Sequence, residues 1–405
     1  MPITDLQLQS LARDAMQRAA AGDYAGAEPL FAQVVAARPN SGQALHLLGQ
    51  ARLKLGRFAE AREPLERAAK FLPKEVAAQV NYAGCLTVLG EHEASLWAFD
   101  RAAKLKPGDP VIAHNKGRAL EALGRLEEAE RSYDDALAAD HRLMPSLIAR
   151  AGLLEARGDW MGALADLDMA LVNRPDDARL RLRRGELLLQ QGDWMRGLPD
   201  YEARLEIAGE CYAPDLPRWQ GEPLDGRLLI YPEQLDIDSD AARRDTLMLA
   251  RGVDAVVQCG ETLAALLDGP TIRRGDPLDD FAAAAALRSL PFLLGWNPDA
   301  PPPPPPLHRV AEAGTTVGWF SLREPPSGLE VERDFNLVAN CKIVVGEDVY
   351  PTHLAARLGL STIMLLPARA DWLWGRNPTL SAWYPNITFA PEGNGATLAA
   401  LLTER

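Results

Sequence analysis

Six glycines, Gly22, Gly56, Gly90, Gly124, Gly158 and Gly192, stand 34 residues apart. A chain that repeats at such a period folds as stacked copies of one supersecondary unit, because a single unit cannot bury its apolar face alone. The phrases around the glycines agree: "GDYAGAEPLF", "GRFAEAREPL", "GEHEASLWAF", "GRLEEAERSY", "GDWMGALADL" and "GDWMRGLPDY". Five residues after each glycine comes a small residue (Ala27, Ala61, Ser95, Ala129, Ala163, Gly197). Nine residues after it comes a bulky one (Phe31, Leu65, Phe99, Tyr133, Leu167, Tyr201). Glycine permits a tight turn between two antiparallel helices. The small residue lets the helices approach, and the bulky residue fills the space between them one turn later. Pro39, Pro73, Pro107 and Pro175 stop the second helix of most units, with His141 in that place in the fourth. The spacing predicts six helix–turn–helix units over roughly residues 5–208.

This pattern resembles the tetratricopeptide repeat and implies an α-solenoid of six such units. The resemblance implies a concave groove lined by the first helix of each pair, holding an extended or helical peptide. Asn81 and Asn115 lie one period apart at a groove-facing position. His114 neighbours Asn115, and His46 stands two repeats before His114. Asparagines here resemble the ladder that holds peptide backbone in the repeats of O-linked N-acetylglucosamine transferases. An amide suits that role because it donates and accepts at once. The plainer alternative is that the two asparagines are solvated helix-face residues.

After residue 208 the beat stops, which divides the chain into four segments: residues 1–208 for the repeats, 209–300, a polyproline spacer at 301–306, and 307–405. "RLLI", "VDAVVQCG", "TTVGWFSL", "CKIVVGED" and "STIMLLP" read as strands, and "PTHLAARLG" as a short helix closed by Gly359. Strand, loop, helix and strand in this order predict a parallel βαβ unit whose ligand end is Glu347–His353.

Here "GEDVYPTHLAARLGLSTIMLLP" resembles the Asp, Thr, His-Leu-Ala segment of heptosyltransferase-like GT-B glycosyltransferases. "DWLWG" (Asp371–Gly375), "SAWYP" (Ser381–Pro385) and "PRWQGEPLDGRLLIYPEQ" resemble phrases of the subgroup fused to tetratricopeptide repeats. The resemblance implies a reduced α/β GT-B-like region of two small Rossmann-like halves. It implies Asp238 as base, and Asp348, Thr352, His353, Trp372 and Trp374 at a nucleotide-sugar donor. His353 and Thr352 also read as helix-start residues, Thr352 as a cap. Trp372, Trp374, Trp383 and Tyr384 also read as core residues.

The chain departs from that family's Glu-Gln-Gly-Leu-Gly-Asp loop. In "EQLDIDSD", Leu235 and Ile237 replace both glycines, and Asp236 and Asp240 add charge of the wrong sign for a diphosphate. Val349 replaces a threonine that would bind phosphate. The halves hold fewer than a hundred residues each, room for about three βα units apiece. A βα unit is expected to be missing between Trp319 and Ile343, leaving Arg323, Arg333 and Lys342 as the cations for a leaving diphosphate. We therefore expect a protein-binding scaffold with a degenerate, inactive glycosyltransferase-like domain acting in protein modification or export of the flagellin type. The alternative is a metal-independent inverting transferase that glycosylates Ser or Thr of a client in the groove. Neither reading calls for a metal or a cofactor beyond a nucleotide sugar.

Net charge −13 argues against nucleic acid and anionic membrane, which need clustered Lys and Arg. Cys85, Cys211, Cys259 and Cys341 form no paired motif, so neither a disulfide framework nor a zinc knuckle is expected. "AAAAALRSLPFLLGW" is too short to span a bilayer and carries Arg288. The N-terminus lacks a signal-peptide pattern, and a cytoplasmic location is expected.

Overall fold

The computed structural model describes residues 4–207, 212, 214–296, 302, 316–320, 331–332, 338, 341–366, 383–384 and 386–391. The chain forms two compact units, Met1–Arg174 and Pro175–Arg405.

The first unit is five antiparallel helical pairs: α1 (Asp5–Ala20) and α2 (Tyr24–Ala37), α3 (Gly42–Lys54) and α4 (Phe58–Phe71), α5 (Val76–Val88) and α6 (His92–Leu105), α7 (Pro110–Ala122) and α8 (Leu126–Ala139), α9 (Met144–Arg157) and α10 (Trp160–Asn173). Each turn glycine adopts a left-handed φ, between +72° and +84°, where a side chain would be strained. Where aspartate follows the glycine it caps the next helix: Asp23 accepts from the Gly26 amide and Asp159 from the Gly162 amide. Ala27, Ala61, Ser95, Ala129 and Ala163 are fully buried, as are Phe31, Leu65, Phe99, Tyr133 and Leu167.

A third small position completes the contact, seven residues before each turn glycine: Ala15, Gly49, Ala83, Gly117, Ala151 and Gly185. A methyl group on Gly49 would come within 2.5 Å of Leu65, and one on Gly117 within 2.5 Å of Tyr133. The bulky residue of the second helix thus sits directly on the backbone of the first.

The second unit begins with a sixth pair, α11 (Ala178–Gln190) and α12 (Trp194–Tyr201). There follow β1 (Arg227–Tyr231), α13 (Asp240–Leu249), β2 (Val256–Gln258), α14 (Glu261–Ala264), β3 (Thr271–Ile272), β4 (Phe281–Ala286) and α15 (Leu290–Leu293). Then come β5 (Thr316–Phe320), β6 (Val331–Glu332), β7 (Cys341–Gly346), α16 (Tyr350–Arg357), β8 (Ser361–Leu366) and β9 (Ile387–Pro391). Two all-parallel sheets result, ordered β3-β2-β1-β4 and β6-β5-β7-β8-β9. The strand–helix–strand unit β7-α16-β8 forms with Ile343 beside Ser361.

Four and five strands exceed the three expected per half. β3 and β6 have only two residues each, too few to show as apolar runs, whereas β2 falls within "VDAVVQCG". β6 lies in the interval between Trp319 and Ile343 and pairs with β5, so that interval is not empty of sheet. β4, "FAAAAA", is a strand despite alanine's helical preference, because its backbone pairs with β1 on one edge and with Pro217–Trp219 on the other. The Ala284 amide donates to the Pro217 carbonyl at 2.8 Å, and the Trp219 amide to the Ala284 carbonyl at 2.9 Å.

The sixth pair packs on this sheet. Trp194, Leu198 and Tyr201 share one core with Trp219, Leu228, Ile230, Trp296 and Trp383. Helix α13 lies against α16, which brings the two sheets together. Cys85, Cys259 and Cys341 are buried free thiols, and Cys211 lies outside the described residues. Among the described residues no helix is long and apolar enough to cross a membrane. No group of His, Cys, Asp and Glu among them is arranged to hold a metal.

Candidate functional site

Two sets of sequence-predicted residues are placed separately. On the helical pairs, the Asn81 amide nitrogen lies 2.8 Å from Nε2 of His46. An amide N–H donates, so the ring nitrogen accepts and the imidazole is neutral. Burial pushes its pKa down, in the same sense. Asn115 has Val80 one residue more than a period before it, and so lacks a histidine partner. His114 instead bonds Ser146 Oγ at 3.0 Å and tilts over the Tyr133 ring at 5.6 Å. Burial lowers its pKa too. The two asparagines, equivalent by period, are not equivalent in partners.

In the second unit, β1 delivers Glu233 and Gln234 beyond its C-terminal end. The following loop turns without any positive φ, so Leu235 and Ile237 are unstrained there. Asp236 accepts from the Asp238 amide at 3.0 Å, and Ser239 caps α13 by accepting from the Ala242 amide. Asp238 is half exposed and pairs with Arg243 at 3.3 Å. Its carboxylate also rests against Gly260, where a methyl would collide with it.

Asp348 and His353 come together: Asp348 Oδ1 lies 2.8 Å from His353 Nε2, and Asp348 Oδ2 accepts from Arg244 at 3.1 Å. The other His353 nitrogen lies 3.3 Å from the Tyr384 hydroxyl. Tyr384 is buried in the core, which pushes its pKa up to about 12, and Trp383 is buried with it. Thr352 does not cap α16. The cap position is Val349, and Thr352 Oγ1 is buried without a hydrogen-bond partner. Trp372, Trp374, Arg323 and Arg333 lie outside the described residues, and Lys342 is exposed.

The carboxylate that reaches α16 is Asp240, at the start of α13. Both its oxygens accept from the Tyr350 amide, at 2.9 and 3.0 Å. Tyr350 is the first residue of α16, Pro351 has no N–H, and the Thr352 and His353 amides bond back to the Val349 carbonyl. A helix N-terminus attracts anions through its free amides. Here the chain's own carboxylate holds that place.

Between the two sheets runs a chain of ion pairs not anticipated from sequence. Asp245, wholly buried, accepts from Arg288 at 2.7 and 3.1 Å, from Arg244 at 3.0 and 3.1 Å, and from the Gln234 amide at 2.7 Å. Burial alone would raise its pKa. The charges of Arg288 and Arg244 outweigh that and hold it at about 2. Arg204, also buried, donates to Glu233 at 2.6 and 3.0 Å, to Glu202 at 2.7 Å and to Ser289 at 2.8 Å. A lone arginine at the end of an apolar run, as Arg288 is in "AAAAALRSL", was the one sequence signal for this network.

A carboxyl held at about 2 rather than 3.8 contributes about 2 kcal/mol to folding above pH ~4. That contribution falls away as pH drops from about 4 towards 2, because the unfolded chain then binds the proton that the folded chain does not. Urea unfolding followed by tryptophan fluorescence is expected to show this loss. In Asp245→Asn the acid-dependent step should be smaller by about that amount.

The tetratricopeptide repeat family matches residues 18–80, 112–140 and 148–210. Cellulose synthase operon protein C of Xanthomonas axonopodis pv. citri (strain 306) is 31% identical over 212 residues, covering 40% of this chain. The chain spans only 14% of that relative's length. Among solved structures, PilF of Pseudomonas aeruginosa matches with TM-score 0.44 and 16% identity, over 50% of this chain and 92% of that one. A tetratricopeptide repeat protein of Parabacteroides merdae ATCC 43184 matches with TM-score 0.43 and 21% identity, over 49% and 79%. A thermophilic tetratricopeptide protein of Thermus thermophilus matches with TM-score 0.37 and 26% identity, over 45% and 99%. The helical pairs of this chain are tetratricopeptide repeats.

Proposed function

We propose that this chain is a protein-binding scaffold whose α/β part, similar in its motifs to GT-B glycosyltransferases, has given up sugar transfer. The observation that carries this reading is the Asp240 carboxylate on the α16 amide, the place where a donor diphosphate would need to sit. The neighbouring charges are spent in the same way. Arg244 is engaged by Asp245 and Asp348, and Arg288 by Asp245. No cation of this set faces a developing negative charge unpaired, and such stabilisation is usually the largest catalytic term.

The tetratricopeptide repeats supply the retained function, the capture of a polypeptide. A secreted structural protein of the flagellin type is the client that the motif resemblance favours. The second reading, an active protein O-glycosyltransferase, draws on the Asp348–His353 pair at the strand ends of the second sheet.

The two readings differ in one measurement. A nucleotide sugar that binds the folded chain, at a hundred times its dissociation constant, adds about 2.7 kcal/mol of stability. UDP-, GDP- and CMP-linked sugars are each expected to leave the melting temperature of the full chain unchanged. A saturable shift with any of them, with sugar transferred to a captured client, would establish the enzyme instead.

A further inference from the structure

Gly84 lies in the middle of α5 for no reason that the fold supplies. Gly49 and Gly117 make room for Leu65 and Tyr133, and the turn glycines hold a left-handed φ. Gly84 does neither: its φ is not left-handed, and a methyl built on it would meet no atom within 4 Å. Glycine is, after proline, the poorest helix former, so this position weakens α5 without improving its packing. The same position in the neighbouring repeats carries long side chains, Gln50 and Arg118. At Gly84 there is open space over bare backbone.

Asn81, one turn earlier, stands on the same face of the helix. Its amide nitrogen is committed to Nε2 of His46 at 2.8 Å, and His46, on α3, is itself buried. The amide oxygen, Oδ1, takes no hydrogen bond and is not enclosed, in a side chain only half buried. The histidine therefore sets which end of the amide is offered to the outside: an acceptor rather than a donor. Asn115, one period on, lacks that histidine and has Arg118 where glycine would be. An acceptor held open beside bare backbone suits a ligand that brings an N–H and can approach closely. An extended polypeptide does both. The interior of a helical one does not, because its N–H groups are already spent within the helix.

We propose that an extended segment of the captured polypeptide crosses α5 at Gly84 and donates a backbone N–H to Asn81 Oδ1, with His46 as the positioning residue. This rests on the scaffold reading and adds to it where the bound chain lies and in what conformation.

The test uses the full chain and a peptide selected on it from a random phage-displayed library, synthesised with each backbone nitrogen methylated in turn. Gly84→Leu is expected to melt no lower than the wild type, since leucine favours helix and enters open space, yet to bind the peptide at least about tenfold more weakly. One N-methylation should cost about tenfold against the wild type and little against Asn81→Leu. His46→Leu should weaken binding alone but add nothing in the Asn81→Leu background, whereas a residue acting independently of Asn81 would add. Asn115→Leu should cost less than Asn81→Leu. Full binding by Gly84→Leu, a lowered melting temperature in that variant, or no N-methylation whose cost depends on Asn81 would overturn the proposal and leave the scaffold reading standing. A library that yields no binding peptide would overturn both.

Discussion

Arg288→Leu is expected to lower the unfolding free energy of the C-terminal unit by about 3–5 kcal/mol, one of the two largest single-residue effects in this chain. Arg288 places two donors on Asp245, which has no exposure to solvent. Removing the guanidinium leaves a buried carboxylate with Arg244 and Gln234 alone, and desolvation then works against it. The same logic predicts that Asp245→Leu is costly while the pair Asp245→Leu and Arg288→Leu recovers part of the loss. Two matched hydrophobic groups can replace a buried ion pair at little cost, whereas half a pair cannot. The coupling in this double-mutant cycle is expected at about 1–3 kcal/mol. Trp194, Trp219, Trp296 and Trp383 share the adjacent core and report the unfolding by fluorescence. A single-variant loss below ~1 kcal/mol, or losses that simply add, would mean that the pair is not a buried, mutually dependent unit.

How much of this molecule could be read in advance depends on the range of the interactions involved. The helical pairs were legible because each unit states its own rule three times over, in turn glycine, small residue and bulky residue, each acting within one helix–turn–helix. The strands around α16 were legible for a related reason, since β7 and β8 are six-residue runs, largely apolar and largely buried. β4 was not, because a run of alanines becomes a strand only when β1 and Pro217–Trp219 lie on its two sides, contacts between segments far apart in sequence. The candidate site divides in the same way. Asp348 and His353 lie five residues apart, on and just before one helix, and their meeting follows from local geometry. Asp240 reaches Tyr350 across 110 residues, and Arg244 reaches Asp348 across 104. No local pattern encodes such pairs. The sequence suggested excess negative charge at the β1 loop, yet nothing in it signalled that one of those carboxylates would dock on a helix of the other sheet.

Tyr133→Ala is expected to cost about 3–5 kcal/mol, the range for emptying a large aromatic site in a packed core. Tyr133 is fully buried, its hydroxyl donates to Glu121 at 2.8 Å, and its ring lies on the backbone of Gly117. The contact is a matched pair of shapes, so the complementary change should also be felt. Gly117→Ala places a methyl 2.5 Å from the ring and is expected to cost about 1–3 kcal/mol by overpacking, even though alanine is the better helix former. In a Tyr133→Leu background the methyl meets a smaller side chain, as it does in the third repeat, where Ala83 faces Phe99 rather than glycine facing tyrosine. Gly117→Ala should there cost less than in the Tyr133 background but still be felt, since a methyl on Gly49 would likewise come within 2.5 Å of Leu65. Repeat arrays lose stability locally, through one unit and its neighbours. Hydrogen exchange in Tyr133→Ala should therefore accelerate first in α7 and α8 and least in α1 and α2. Uniform acceleration along all five pairs, or a loss below ~1 kcal/mol, would show that the bulky position is not the lock between the two helices of its repeat.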